Sequence, residues 1–298
     1  MCKKCGAVST QLTDEIDRYI SRLKNDYGLS ITLHPTGREY LISNSSLIKY
    51  NFHNSAYCTY VKSNREAMKT CVKKQSAIER KLMTEEVFTG VCHAGVKERV
   101  YGFYLRDKYL GFISVSGYKA DKAIYVPRIK KICTDYFFVF DDTLEIYDRL
   151  SDEFPEAEML DSLIFPLRRM IEYGNMIFEN IISEKNSLYV EIIRYLNEHF
   201  CDKISLKALS VTFAASVSQI SHTFKKYNGR SVRDYINMLR TELAKELLRH
   251  TDKNITDIAM ITGYSDSCYF CNVFKKATGL TPGDYRKSIP ANHSAIRK

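Results

Sequence analysis

Apolar positions recur at helical spacing along most of the chain, interrupted by one region of alternation. Leu12, Ile16, Tyr19, Ile20 and Leu23 share a face and predict a helix over residues 12–25. Leu29-Ser30-Ile31-Thr32-Leu33 alternates and predicts a strand. Pro35-Thr36-Gly37 turns it into a second strand at Glu39-Tyr40-Leu41-Ile42. Residues 55–83 are polar with helical spacing. Three more strands are expected at Val87–Cys92, Val96–Leu105 and Leu110–Val115, with Arg106-Asp107-Lys108-Tyr109 as a hairpin turn. Residues 10–150 thus read as an α+β domain, an antiparallel sheet with helices on one side.

Two helical series follow. Ile129, Ile132, Cys133, Tyr136, Phe137, Phe140, Leu144 and Tyr147 form the first, expected to run from Ile129 to Leu150. Leu160, Leu163, Ile164, Leu167, Met170, Ile171, Ile177, Phe178, Ile181 and Ile182 form the second, at near-heptad spacing. Pro166 breaks that run and suits the first turn of a helix. Residues 151–185 are read as a helical connector. Either it seats a partner helix and makes a homodimer, or it caps the sheet of residues 10–150. Glu184-Lys185-Asn186-Ser187 is a polar joint.

The remaining residues, 186–288, contain an internal repeat. Residues 224–235, FKKYNGRSVRDY, align with 274–285, FKKATGLTPGDY, at an offset of 50. Each copy reads as helix, turn, helix. In the first, Ser205 opens a short helix, Phe213-Ala214-Ala215 is the turn, and Ser216 with Gln219 forms a capping box. In the second, Asn254 caps a short helix, Gly263 supplies the turn and Asp266 caps the next helix. Ser231 and Asp234 start a long joining helix with Tyr235, Ile236, Leu239, Leu243, Leu247 and Leu248 inward. Such a strut can hold two helices about 34 Å apart, the spacing of successive major grooves on one face of DNA.

Charge supports that reading. Residues 186–298 hold 17 Lys and Arg against 10 Asp and Glu, a net of +7 of the chain's +9. A basic domain beside a near-neutral one suits a polyanion partner. No run of ~18 apolar residues predicts a membrane span, and the first residues lack the apolar core of a signal peptide, so the chain is read as cytoplasmic. Its nine cysteines are then expected as thiols. Cys268-x-x-Cys271 falls inside a helix, without the two further ligands a zinc site needs. Cys2-Lys3-Lys4-Cys5 is read as a frayed end.

Ile258-Ala259, Gly263-Tyr264-Ser265-Asp266, Tyr269-Phe270, Phe274-Lys275-Lys276, Gly279, Thr281-Pro282 and Tyr285-Arg286 resemble the AraC/XylS family of transcription regulators over about residues 187–288. The resemblance implies an all-α domain with two helix-turn-helix units, double-stranded promoter DNA and RNA polymerase as partners, and activation. The early outward residues of the second helices would read bases: Ser218, Ser221 and His222, then Ser267, Cys268, Cys271 and Asn272. Family members often carry Arg where His222 and Asn272 stand. Arg reads guanine and Asn reads adenine, so an A·T-richer site is expected. Lys225, Lys226, Lys275, Lys276 and Arg286 would grip phosphates.

Cys58, Cys71, Cys92-His93-Ala94-Gly95 and Tyr109-Leu110-Gly111-Phe112 resemble the PocR-type sensory domain. That resemblance implies a PAS/GAF-like fold and a small effector such as a short diol. Cys58, Cys71, Cys92 and His93, with Tyr101, Phe103 and Tyr104, are expected to line the pocket. The same three thiols and His93 also form a zinc-type Cys3His donor set, and Cys58 and Cys71 also suit a core. The expected function is a ligand-controlled, sequence-specific regulator without enzymatic activity. The alternatives are a thiol-redox or metal-responsive regulator using Cys58, Cys71 and Cys92, or a thiol-dependent repair enzyme. No proline-cysteine-histidine-arginine setting supports the last.

Overall fold

The computed structural model describes residues 3–36, 46–178 and 187–289. The strand expected at 39–42, the side chains of the Cys2–Cys5 pair and the Ile181–Ile182 end of the connector lie outside the described residues.

Helix α1 (Lys3–Tyr27) leads into strand β1 (Ser30–Pro35). After a 3-10 turn at Ser46–Tyr50 come α2 (Ala56–Lys62) and α3 (Arg65–Leu82), capped by Ser55 and Asn64, whose side chains accept from first-turn amides. Strands β2 (Val87–Val91), β3 (Val96–Leu105) and β4 (Lys108–Lys119) complete an antiparallel sheet in the order β1-β4-β3-β2. The β3–β4 turn is tighter than the four residues expected. Leu105 pairs with Lys108, and Arg106 takes a positive φ of 54°.

Period-two alternation gives the sheet two different faces. In register, Ile31 faces Val115 and Leu33 faces Ile113 on one side; Thr32 faces Ser114 and His34 faces Phe112 on the other. The first side is dry. Ile31, Leu33, Tyr101, Phe103, Ile113 and Val115 pack with α1 and with α6 (Ala157–Phe178). The second side meets α2 and α3 and holds the polar residues discussed below.

The two helical series that follow the sheet depart from expectation in two ways. The first series breaks into α4 (Lys122–Tyr136) and α5 (Phe140–Tyr147), because Phe137 adopts a left-handed conformation with φ 59° and stands 94% exposed. Pro166 lies inside α6, nine residues after its start at Ala157, instead of opening it. The inner stripe of α6, Leu160, Ile164, Leu167 and Ile171, is fully buried against the sensor. Those positions cap the sheet and are not free for a partner helix.

The basic domain comprises α7 (Ser187–His199), α8 (Leu206–Thr212), α9 (Val217–Asn228), α10 (Val232–His250), α11 (Ile255–Ile261), α12 (Ser267–Thr278) and α13 (Pro282–Ser288). Ser205, Ser216, Ser231, Asn254, Asp266 and Thr281 each cap a helix by accepting from the amide three residues on. Each such cap contributes about 1 kcal/mol. The repeat is physical: α9 and α12 have 12 residues each, end at left-handed Gly229 and Gly279, and bury Ile220 and Phe224 or Phe270 and Phe274.

The two domains share apolar contacts. Ile48 and Met68 of the sensor join the core of α7 and α10. The Phe52 and Phe200 rings meet edge-on at 5.7 Å.

Candidate functional site

Helices α9 and α12 each sit second in a helix-turn-helix unit, with their apolar side against α10. Ser218, His222, Lys225 and Lys226 are exposed on α9, and Cys268, Asn272, Lys275 and Lys276 on α12. Ser221 and Ser267 are half-buried. Cys271 is likewise half-buried, with one side against the core. Arg286 is engaged within the domain, donating to the carbonyls of Lys253 at 2.6 Å and Thr251 at 3.4 Å, where it pins α13 to the end of α10. The Tyr269 hydroxyl accepts from Arg233 at 2.8 Å, tying α12 to the strut α10. Cys268 and Cys271 have no companions for a metal: among the described residues no three His, Cys, Asp or Glu side chains are placed to hold one.

On the polar face of the sheet, a cavity of about 290 Å³ lies between β1, β2, β4, α2, α3 and the basic domain. Cys58, Cys71, Cys92 and His93 all line it. The Cys92–Gly95 loop is fixed from three sides. Tyr57 donates to Ala94 O at 2.8 Å, Tyr147 to Gly95 O at 2.7 Å, and Arg128 to Cys92 O at 2.6 Å. Cys71 Sγ lies 3.6 Å from His93 Nε2.

Tyr101, Phe103 and Tyr104 do not line this cavity. Tyr101 and Phe103 face the dry side, and Tyr101 Oη donates to Asp161 of α6 at 2.9 Å. A register shift follows Phe103, and Tyr104 donates to Leu82 O at 2.6 Å, beyond the cavity. In their place stand Phe112, from the Tyr109–Phe112 string, and four residues that belong to no sequence motif: His34, His53, Gln75 and Glu98. The alternation of β1 carries a signal for His34, since Leu33 faces the core and its neighbour must face the other way. The approach of His53 and Gln75 is tertiary and has no local signal.

His34 stacks on Phe112 with ring centroids 4.2 Å apart. Burial, with the Lys62 charge nearby, lowers the His34 pKa to about 3 and holds that of His53 well below the usual imidazole range. Both rings are therefore neutral. Gln75 Nε2 lies 3.1 Å from His34 Nδ1, and His34 Nε2 lies 3.3 Å from His53 Nε2. With the amide donating to Nδ1, His34 donates from Nε2 to His53. Burial also raises the thiol pKa of Cys58 and of Cys92, and pushes that of Cys71 up to about 11, so all three are protonated thiols. Glu98 is held above the usual carboxylate range by burial, with Ser114 donating to it at 2.7 Å. The cavity walls are largely apolar and the imidazoles of His34 and His53 and the three thiols are neutral, while Lys62, Lys74, Glu79, Glu98, Arg194 and Glu198 also line it. An apolar cavity with a few convergent polar groups can hold a small molecule.

Comparison with known proteins fits both halves. The sensory domain found in PocR matches residues 13–165, and a helix-turn-helix domain matches residues 209–288. The transcriptional activator RhaS of Escherichia fergusonii is 33% identical over 101 residues, covering 34% of this chain and 36% of that protein. The bifunctional transcriptional activator and DNA repair enzyme AdaA of Bacillus subtilis is 36% identical over 103 residues, 34% of this chain and 49% of that protein. The matched stretch therefore spans between a third and a half of these curated relatives. The C-terminal domain of AraT, a response regulator from Geobacillus stearothermophilus, is 30% identical, covers 36% of this chain and 89% of that chain, and has a TM-score of 0.34. No helix among the described residues is long and apolar enough to cross a membrane. With half its length inside the first of these matches, the chain belongs to the family of the PocR sensory domain, here joined to an AraC-type helix-turn-helix domain.

Proposed function

We propose that the protein is a transcriptional activator that binds promoter DNA through α9 and α12 and is controlled by a small effector in its PAS/GAF-like sensor. The observation that carries this is the pairing of two equivalent recognition helices, joined by α10, with a separate cavity-bearing domain. Ser218, His222, Cys268 and Asn272 are exposed where base edges would lie, and Ser221 and Ser267 stand beside them. Lys225, Lys226, Lys275 and Lys276 would neutralise phosphates. The name of RhaS as an activator supports the positive sign, and RNA polymerase as partner rests on the AraC/XylS resemblance alone. A homodimer would have to use a surface other than the buried stripe of α6. The thiol-redox alternative is not favoured, because a sensing thiol needs a lowered pKa and burial raises that of Cys58, Cys71 and Cys92. A promoter-reporter assay with the chain supplied in trans tests the sign: expression rises with the protein and effector, and a fall would make it a repressor.

A further inference from the structure

A second hollow opens between the two helix-turn-helix units, on the side of the basic domain that carries the reading positions. It is a groove of about 420 Å³ along the first half of α10. Ser221 and Lys225 of α9 form one bank and Tyr269 of α12 the other, with Arg233, Asn237 and Arg240 of α10 between them. Three of these side chains are cations, and no Asp or Glu among the described residues lines the groove. The acidic side chains next to it in sequence are turned to helix caps. Asp234 accepts from Ser231 Oγ at 2.7 Å, and Asp266 accepts from the amide of Tyr269. Arg240 is held by backbone, donating to the carbonyls of Phe200 at 2.7 Å and Asp202 at 2.9 Å.

Arg233 is the exposed cation at the centre of this groove. Its Nε and Nη2 both donate to one atom, Tyr269 Oη, at 3.1 and 2.8 Å. A guanidinium carries five N–H donors in a planar fork, so with two of them on Tyr269 three are left, along the edge formed by Nη1 and Nη2. That edge matches two oxygens of one phosphate. The bond to Tyr269 fixes the plane of the fork before any ligand arrives, which lowers the ordering cost of binding.

Where one molecule reads two successive major grooves, the backbones bordering the minor groove between them pass between its reading helices. The groove lies at that place and is continuous with the reading surface through Ser221 and Lys225. We propose that it holds the sugar-phosphate backbone of the duplex between the two half-sites, with Arg233 gripping a phosphate through its open edge and Lys225 adding a second charge. The site reads no base. It sets where the strut α10 sits on the duplex, and so fixes the register of α9 and α12 on their half-sites. This rests on the reading of α9 and α12 as a DNA-binding pair, and adds a contact made by the strut itself.

Phosphate-ethylation interference tests it. The full chain is bound to its own promoter fragment carrying sparse ethylated phosphates, and the positions that block binding are mapped. The native chain should show blocking positions between the half-sites as well as within them. Arg233→Ala should lose those between the half-sites, keep the rest, and lower the salt slope by about 1 on promoter and random duplexes alike. Arg233→Lys keeps the charge and should keep the native slope; a slope lowered as in Arg233→Ala would overturn a grip by charge. A native map with nothing between the half-sites would overturn the site, as would an unchanged slope in Arg233→Ala. Loss spread instead over the phosphates of the α12 half-site would make Arg233 a brace for that helix and overturn the direct grip. If the chain shows no preference for promoter DNA, the reading helices fail and not the groove. A slope lower by about 1 on random duplexes then still supports the groove, and an unchanged slope still overturns it.

Discussion

Gly263 lies against the backbone of Cys201: a Cβ placed on it would sit 2.5 Å from the Cys201 carbonyl oxygen. Its φ is +96°, a region side chains rarely adopt. The turn of the second helix-turn-helix unit is thereby clamped to the end of α7, beside the first unit. Gly263→Ala adds both strain and a backbone clash. It is expected to cost at least about 2 kcal/mol of stability. Urea unfolding of the full chain, read at the DNA-binding domain, should show the loss there; an unchanged midpoint would remove this clamp.

Base-reading and phosphate-gripping residues should separate by salt. Lys275→Ala is expected to weaken binding to any duplex and to reduce the salt slope by about 1. Asn272→Ala should leave that slope unchanged and cost about 1–3 kcal/mol on the preferred site only. Titrations across a salt series on matched and scrambled duplexes distinguish the two. Arg286→Ala behaves differently from both, because its guanidinium anchors α13; it should lower stability first.

The buried imidazoles give a pH dependence of known sign. His34 has a folded pKa of about 3 against 6.5 in the open chain. Between those values the unfolded state holds a proton that the folded state lacks. Stability therefore falls as pH drops below about 6.5. From pH 6.5 to 5, His34 alone contributes a loss of about 2 kcal/mol. His53 and His93 are lowered in the same direction, whereas the raised Glu98 opposes them. Melting curves at pH 7 and 5 should show the loss, and His34→Gln should shrink it. A chain equally stable at both values would contradict neutral imidazoles in the cavity.

Ion pairing across the α6–sheet contact should matter mainly through its hydrogen bonds. Arg99 donates to both oxygens of Asp161 at 2.7 Å, and Tyr101 donates to the same carboxylate. Asp161→Ala leaves both donors without that acceptor and is expected to cost about 1–2 kcal/mol. Tyr101→Phe should cost less and leave effector affinity unchanged, because Tyr101 faces away from the cavity. A large loss of effector binding in Tyr101→Phe would return it to the site.

Much of the DNA-binding half was legible because its signals are local. The caps at Ser216, Asn254 and Asp266 and the capping pattern repeated 50 residues on each act within a few residues of themselves, and all reappear in the helices. Cys271 was harder to place. It lies between the base-facing and core-facing stripes, and it is half-buried. In the sensor, the Cys92–Gly95 loop and the cavity thiols were readable from the string that carries the family resemblance. Tyr101 and Phe103 were misplaced because residue type was weighed above strand parity: in β3 they lie on the side opposite Val100. The wall supplied by Asn197 and Phe200 had no local signal at all, since it depends on how α7 docks on α3.

Sequence-specific DNA binding underlies every other part of this account. Fluorescence anisotropy of the full chain on its own promoter DNA and on a random duplex of equal length, at ~150 mM salt, measures it directly. Specific binding should be tighter by roughly 10³-fold or more. Equal affinity for the two duplexes, both lost together as salt rises, would show only a basic surface and contradict the assignment of α9 and α12 as reading helices.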